Sequence, residues 1–101
     1  MTYHVRLSKN IHRQIRKLPG HVRSVAHQRI LSLAQTPYTP DAKELEGHAG
    51  YFRLWLSADY RLVWQVIEDE QIVDILYVGL KFPNLYEQLG LARPDHENDS
   101  S

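Results

Sequence analysis

The sequence predicts an α+β domain: a small, mostly antiparallel sheet with a helical hairpin on one face. The expected order is β-α-α-β-β-β with a short C-terminal helix. Three observations predict it. Residues 60–79, YRLVWQVIEDEQIVDILYVG, read as two strands rich in Val, Ile, Leu, Trp and Tyr around an acidic turn at Asp69-Glu70. Residues 51–57, YFRLWLS, alternate Phe52, Leu54 and Leu56 with Tyr51, Arg53 and Trp55, as a strand does. Residues 8–35 carry apolar side chains at helical spacing, interrupted at Pro19-Gly20.

The elements follow in order. Tyr3, Val5 and Leu7 alternate with His4 and Arg6, which predicts a short first strand. Ser8 is a suitable N-cap for a helix carrying Ile11, Ile15 and Leu18. A second helix is expected from about His21 to Gln35, with Val22, Ala26, Ile30 and Leu33 on one face. So short a break between two amphipathic helices implies a hairpin. Pro37 and Pro40 mark a rigid loop, and DAKELEGHAG, residues 41–50, reads as loop or one irregular turn. PNLYEQLG, residues 83–90, fits a short helix with Pro at its start and Gly at its end.

Side-chain parity predicts the sheet register. A three-residue Ser57-Ala58-Asp59 loop pairs Leu56 with Tyr60, Leu54 with Leu62 and Phe52 with Trp64, all on the helix-covered face. The opposite, open face then pairs Trp55 with Arg61, Arg53 with Val63 and Tyr51 with Gln65. In the next hairpin, a two-residue Asp69-Glu70 turn pairs Trp64 with Ile75, Leu62 with Tyr77 and Arg61 with Val78. The open face would then also carry Ile67, Ile72, Leu76 and Val78, an apolar strip that the C-terminal segment or a partner must cover.

With 101 residues, 43% of them hydrophobic, the chain has material for one small core. Residues 1–91 are expected to form a single domain, and 92–101 a polar, disordered tail. The absence of cysteine excludes disulfides and thiolate metal sites. No apolar run reaches 18 residues and no signal-peptide core opens the chain, so the expected location is cytoplasmic, without a membrane partner. His4, His12, His21, His27 and His96 are scattered without metal-ligand spacing, so neither metal nor cofactor is expected.

Charge is balanced overall but not along the chain. Residues 1–40 hold seven Lys/Arg and no acid, whereas residues 41–101 hold five basic and twelve acidic side chains. The basic first part suggests an anionic partner for Arg13, Arg16, Lys17 and Arg23 on the helical hairpin. Arg61 is the second misfit. It stands near the sheet centre, where arginine is seldom placed without a partner, and only Asp74 offers an acid on its face.

The order strand, two helices and three antiparallel strands, with YRLVWQVIEDEQIVDILYVG in the last two, resembles the RelE/ParE toxin superfamily over residues 3–90. The closer likeness is to the RelE-like branch, the ribosome-dependent mRNA endonucleases of type II toxin–antitoxin pairs. The resemblance implies a catalytic set of basic residues and a tyrosine on the open face. Arg53 stands at the first basic position of the second strand, Arg61 at the arginine of the YRLVY-like strand, Lys81 at the basic position after the VG dipeptide, and Tyr86 at the C-terminal tyrosine. Trp55 departs from the pattern, standing where the family carries a lysine.

Metal-free RNA cleavage uses the ribose 2′-OH against the adjacent phosphate. It needs a base for the 2′ proton, cations for the crowded phosphorane and an acid for the departing 5′ oxygen. Under the resemblance Arg61 holds the phosphate with its fork of donors, Arg53 adds charge, Lys81 donates the proton and Tyr86 stacks or assists. Trp55 trades a charge for a stacking face on RNA, which opens the question of the base; Glu46 and His48, in the preceding loop, are candidates. The implied partners are a cognate antitoxin, the ribosome and mRNA. The alternatives are a ParE-like DNA gyrase inhibitor without nuclease activity, and a degenerate toxin that only binds its antitoxin.

Overall fold

The computed structural model describes residues 2–91. The chain runs β1 (His4–Arg6), α1 (Lys9–Arg16), α2 (Gly20–Leu33), β2 (Lys43–Glu44), β3 (Tyr51–Trp55), β4 (Tyr60–Ile67), β5 (Ile72–Leu80) and α3 (Leu85–Gln88). The strands form one sheet in the order β1-β5-β4-β3-β2. β1 lies parallel to β5 and every other pairing is antiparallel. Residues 92–101, expected as a polar tail, lie outside the described residues.

Local signals place the helices. Ser8 caps α1, its hydroxyl accepting from the Ile11 N–H at 3.2 Å. Pro19 separates α1 from α2, and Arg23 stitches the break by donating from Nη2 to the Leu18 carbonyl at 3.0 Å. The same Nη2 reaches the Arg16 carbonyl at 3.4 Å, one of those a helix end leaves without a partner. Arg29 pairs with Asp41, which ties α2 to the loop that leads into β2.

The helices cover one sheet face. Ile11, Ile15, Val22, Ala26, Ile30 and Leu33 pack on Leu54, Leu62, Trp64, Val73, Ile75 and Val78. Trp64 is fully enclosed at the centre. Its indole N–H donates to the Pro37 carbonyl at 3.1 Å, so the rigid loop is pinned to the core. Phe52 stacks on it at 5.9 Å and Tyr38 meets Phe52 edge-on at 5.4 Å.

The first hairpin has the register that parity predicts. Tyr51 pairs with Gln65, Phe52 with Trp64, Arg53 with Val63, Leu54 with Leu62 and Trp55 with Arg61. Arg53 and Arg61 therefore share the open face. Three expectations are corrected elsewhere. First, the sheet has five strands, not four. Lys43 and Glu44, expected in a loop, pair with Arg53 and Phe52. Two left-handed glycines, Gly47 (φ 79°) and Gly50 (φ 88°), turn the chain back so that this edge forms. The Glu44 carboxylate holds the return by accepting from the Gly50 N–H at 2.7 Å.

Second, the β4–β5 register shifts. Trp64 does pair with Ile75, but beyond it Val63 pairs with Tyr77, Leu62 with Val78 and Arg61 with Gly79. Leu76 is the extra residue of a β-bulge, and parity inverts past it. Val78, expected on the open strip, instead lies in the core, its N–H donating to Gln14 Oε1 of α1 at 2.9 Å. Third, the turn itself is one 3-10 turn over Glu68–Glu70 closed by Gln71 in the left-handed region (φ 57°), rather than a two-residue turn.

The bulge has a second consequence. Gly79, not Val78, stands across from Arg61. A Cβ at Gly79 would come within 2.8 Å of the Tyr77 hydroxyl and 3.1 Å of its ring. That ring is fixed, because its hydroxyl donates to the Leu80 carbonyl at 2.6 Å, and burial pushes the phenol's pKa up. Gly79→Ala is therefore expected to displace Tyr77 and to destabilise the domain by about 1–3 kcal/mol. Chemical denaturation of the two proteins measures it.

Candidate functional site

The open face carries a second, smaller apolar cluster. Leu45, Val63 and Leu91 are buried in it, with Tyr51, Leu76, Tyr77, Tyr86 and Leu89 packed around them. The C-terminal segment thus covers part of the strip opposite the helices. α3 is short, but Leu85 is buried and the Leu91 N–H donates to the Tyr86 carbonyl at 2.7 Å, which fixes Tyr86 over the sheet.

Arg61 sits beneath this cover. It is the one charged residue buried among those described, at 5% exposure. Its guanidinium carbon lies 3.8 Å from the centroid of the Trp55 ring and 5.9 Å from that of Tyr86. Nη1 donates to the Tyr86 hydroxyl. Nε is buried and has no acceptor. Asp74, the acid that shares its face, is engaged by Arg6: the ion pair spans 3.1 Å across β1 and β5. Aromatic faces attract a cation but do not neutralise it. Among the described residues Arg61 is a buried positive charge with no carboxylate and one idle donor, an arrangement that favours an incoming anion.

Three further residues singled out in the sequence converge here. Trp55 covers Arg61 and is 48% exposed, so one indole face meets the guanidinium while solvent reaches the ring. Lys81 Nζ lies 5.8 Å from the Tyr86 ring centroid and donates to the Phe82 carbonyl at 3.1 Å. Its own N–H donates to the Asp59 carbonyl at 2.9 Å, which fixes the chain just past β5 against the β3–β4 loop. Arg53 and Tyr86 line a cleft of about 150 Å3 with Lys43, Glu46, His48 and Leu91. Trp55, Lys81, Arg53 and Tyr86 thus gather around the buried Arg61, with Tyr86 the residue that links them.

Arg13, Arg16, Lys17 and Arg23 do not join them. All four are exposed on the hairpin, which packs on the other face of the sheet. Arg23 also serves the helix break described above. Sequence reasoning missed Lys43. It pairs with Arg53 across β2 and β3, so it presents a cation at the edge of the same face. The signal was hidden because a two-residue strand has no alternation to read. Among the described residues no group of three or more His, Cys, Asp or Glu is placed to hold a metal ion. No helix among them is long and apolar enough to cross a membrane.

No protein-family model matches this sequence, and no curated protein matches it. Solved structures do. A mutant of the Escherichia coli toxin RelE in the free state matches with a TM-score of 0.70 at 24% identity, over 89% of this chain and 92% of that one. The intact E. coli RelBE toxin–antitoxin complex matches with a TM-score of 0.68 at 27% identity, over 80% and 99%. The archaeal RelE–RelB complex from Pyrococcus horikoshii matches with a TM-score of 0.68 at 25% identity, over 79% and 96%. These matches run over most of both chains, and the chain has the RelE-like toxin fold.

Proposed function

We propose that this chain is the toxin of a type II toxin–antitoxin pair and that it acts in the cytoplasm as a ribosome-dependent mRNA endonuclease. The observation that carries the proposal is Arg61: buried, without a carboxylate among the described residues, and with an idle Nε. A phosphate entering beside Trp55 meets the charge of the guanidinium beneath that ring. Binding there stabilises the developing phosphorane more than the ground state, because its equatorial oxygens gain negative charge during attack.

The other residues divide the remaining work. Arg53 adds charge on the same face. Lys81, over the edge of Tyr86, protonates the departing 5′ oxygen. Tyr86 and Trp55 offer ring faces to the unstacked bases of single-stranded mRNA. The exposed cations of the hairpin, Arg13, Arg16 and Lys17, sit on the far side of the sheet and suit ribosomal RNA phosphates. The ribosome then orients the 2′-OH for in-line attack, a contribution that positioning alone makes large.

The partner implied is an antitoxin, as in the solved RelBE and RelE–RelB complexes. An acidic amphipathic segment would complement both the basic surface and its apolar surroundings. Expression of this chain alone is expected to arrest growth and translation, and co-expression of its cognate antitoxin to restore both and yield a stable complex. Lys81→Ala should slow mRNA cleavage severely and His12→Ala, on the exposed face of α1, should leave it unchanged, as judged by primer extension on cellular mRNA. Growth arrest with intact mRNA and stalled gyrase–DNA complexes would instead support the gyrase inhibitor, the reading that Trp55 at the family's lysine position favours.

A further inference from the structure

We infer that His48 is the general base of this site, taking the 2′-OH proton in the cleft between the β2–β3 loop and α3. The inference rests on the nuclease reading above and extends it. His48, Arg53 and Tyr86 line the same cleft, and Lys43 stands at its rim.

The loop that carries His48 is built, not slack. Its N–H donates to the Leu45 carbonyl at 3.1 Å and its carbonyl accepts from the Tyr51 N–H at 3.2 Å. The ring meets the Tyr51 ring edge-on, 6.0 Å between centroids and 78° between planes. Left-handed Gly47 and Gly50 flank it, and the Glu44 carboxylate closes the turn on the Gly50 N–H. The imidazole is thus half-buried and held at the cleft wall.

Chemistry selects it from its neighbours. The groups around it are Lys43 and Glu44 of β2, Glu46 of its own loop, Tyr51 and Arg53 of β3, and Tyr86 of α3. Arginine stays protonated and cannot accept a proton. The Tyr86 oxygen already accepts from Arg61. Glu46 is exposed at the loop apex. Imidazole is the side chain that gains and loses a proton near neutral pH. In the step, the 2′-O–H proton passes to the imidazole as the 2′ oxygen bonds to phosphorus. The phosphorus–O5′ bond breaks and the 5′ oxygen takes a proton from Lys81. A 2′,3′-cyclic phosphate and a 5′-hydroxyl remain. Lys43 and Arg53 neutralise the phosphate from the cleft side, which is how the site works with Trp55 where a lysine would stand.

The test is single-turnover cleavage of mRNA on programmed ribosomes across a pH series, with ribosome binding and thermal melting measured alongside. His48→Gln is expected to melt and bind as wild type, to cleave roughly 100- to 10,000-fold more slowly, and to lose the rise of rate with pH on the acidic side. His12→Ala should retain both the rate and the profile. Wild-type cleavage by His48→Gln overturns the role of His48 and leaves the nuclease reading standing. A His48→Gln protein that cuts slowly with the wild-type pH profile also overturns it, since the ring would then only position others. A wild-type protein that cuts nothing overturns the nuclease reading and the role of His48 with it.

Discussion

Arg61→Ala is expected to abolish toxicity while leaving the protein folded. Removing one preorganised contact to transition-state charge typically costs about 3–4 kcal/mol, or roughly 100- to 1000-fold in rate. Arg61 should sit at the upper end, because its charge is buried, where electrostatic contacts are stronger than in water. The substitution removes an unneutralised buried charge, which offsets part of the packing lost beneath Trp55 and Tyr86. Arg61→Lys separates charge from geometry. A lysine keeps the charge but has no planar fork to stack under Trp55 and reach the Tyr86 hydroxyl at once. It is expected to recover only a small part of the rate. Single-turnover cleavage beside chemical denaturation reads both effects. A loss of activity matched by a loss of folding would make Arg61 a structural residue.

Trp64→Ala should be the most destabilising single change, by about 3–5 kcal/mol. That is a large share of the roughly 5–15 kcal/mol that holds a domain together. The indole is fully buried where both helices meet the sheet. It also satisfies the Pro37 carbonyl and forms a face for Phe52. Trp64→Phe keeps most of the apolar volume but leaves that carbonyl without its donor, at an expected cost of about 1–3 kcal/mol. Urea midpoints of the three proteins check the order. A Trp64→Phe protein as weak as Trp64→Ala would place the stability in the hydrogen bond rather than in packing.

The parts of this fold that follow from alternation are legible in the sequence. Phe52, Leu54 and Leu56 against Leu62 and Trp64 admit one register that separates apolar from mixed faces. That register by itself sets Arg53, Trp55 and Arg61 side by side on the open face. The β4–β5 pairing is legible only up to Trp64 and Ile75. The bulge at Leu76 has no glycine or proline to announce it, and both of its flanks are apolar, so parity gives no warning. Tertiary packing decides it: the shift sends Val78 under α1 and leaves Gly79 facing Arg61.

Much the same holds for the site. Arg61 is visible as a misfit in the sequence, but its actual neighbours are not. Asp74 looks available from its face, yet the parallel β1 places Arg6 directly across from it. Pairing of β1 with β5 is a long-range contact that residue patterns near Asp74 do not encode. Lys43 and the His48 cleft depend on a loop whose two glycines take φ values that nothing in DAKELEGHAG specifies uniquely.

Reconstituted ribosomes carrying a defined mRNA, mixed with purified wild-type protein or Arg61→Ala, give the most direct measurement. The 5′ ends are mapped by primer extension and the upstream fragment is tested for a 2′,3′-cyclic phosphate. Wild-type protein is expected to cut the ribosome-bound message, leaving free mRNA nearly intact, with the Arg61→Ala rate lower by roughly 100- to 1000-fold. Intact message on wild-type treatment, or equal cutting by both proteins, would contradict the reading of Arg61 as the phosphate-binding centre of an mRNA endonuclease.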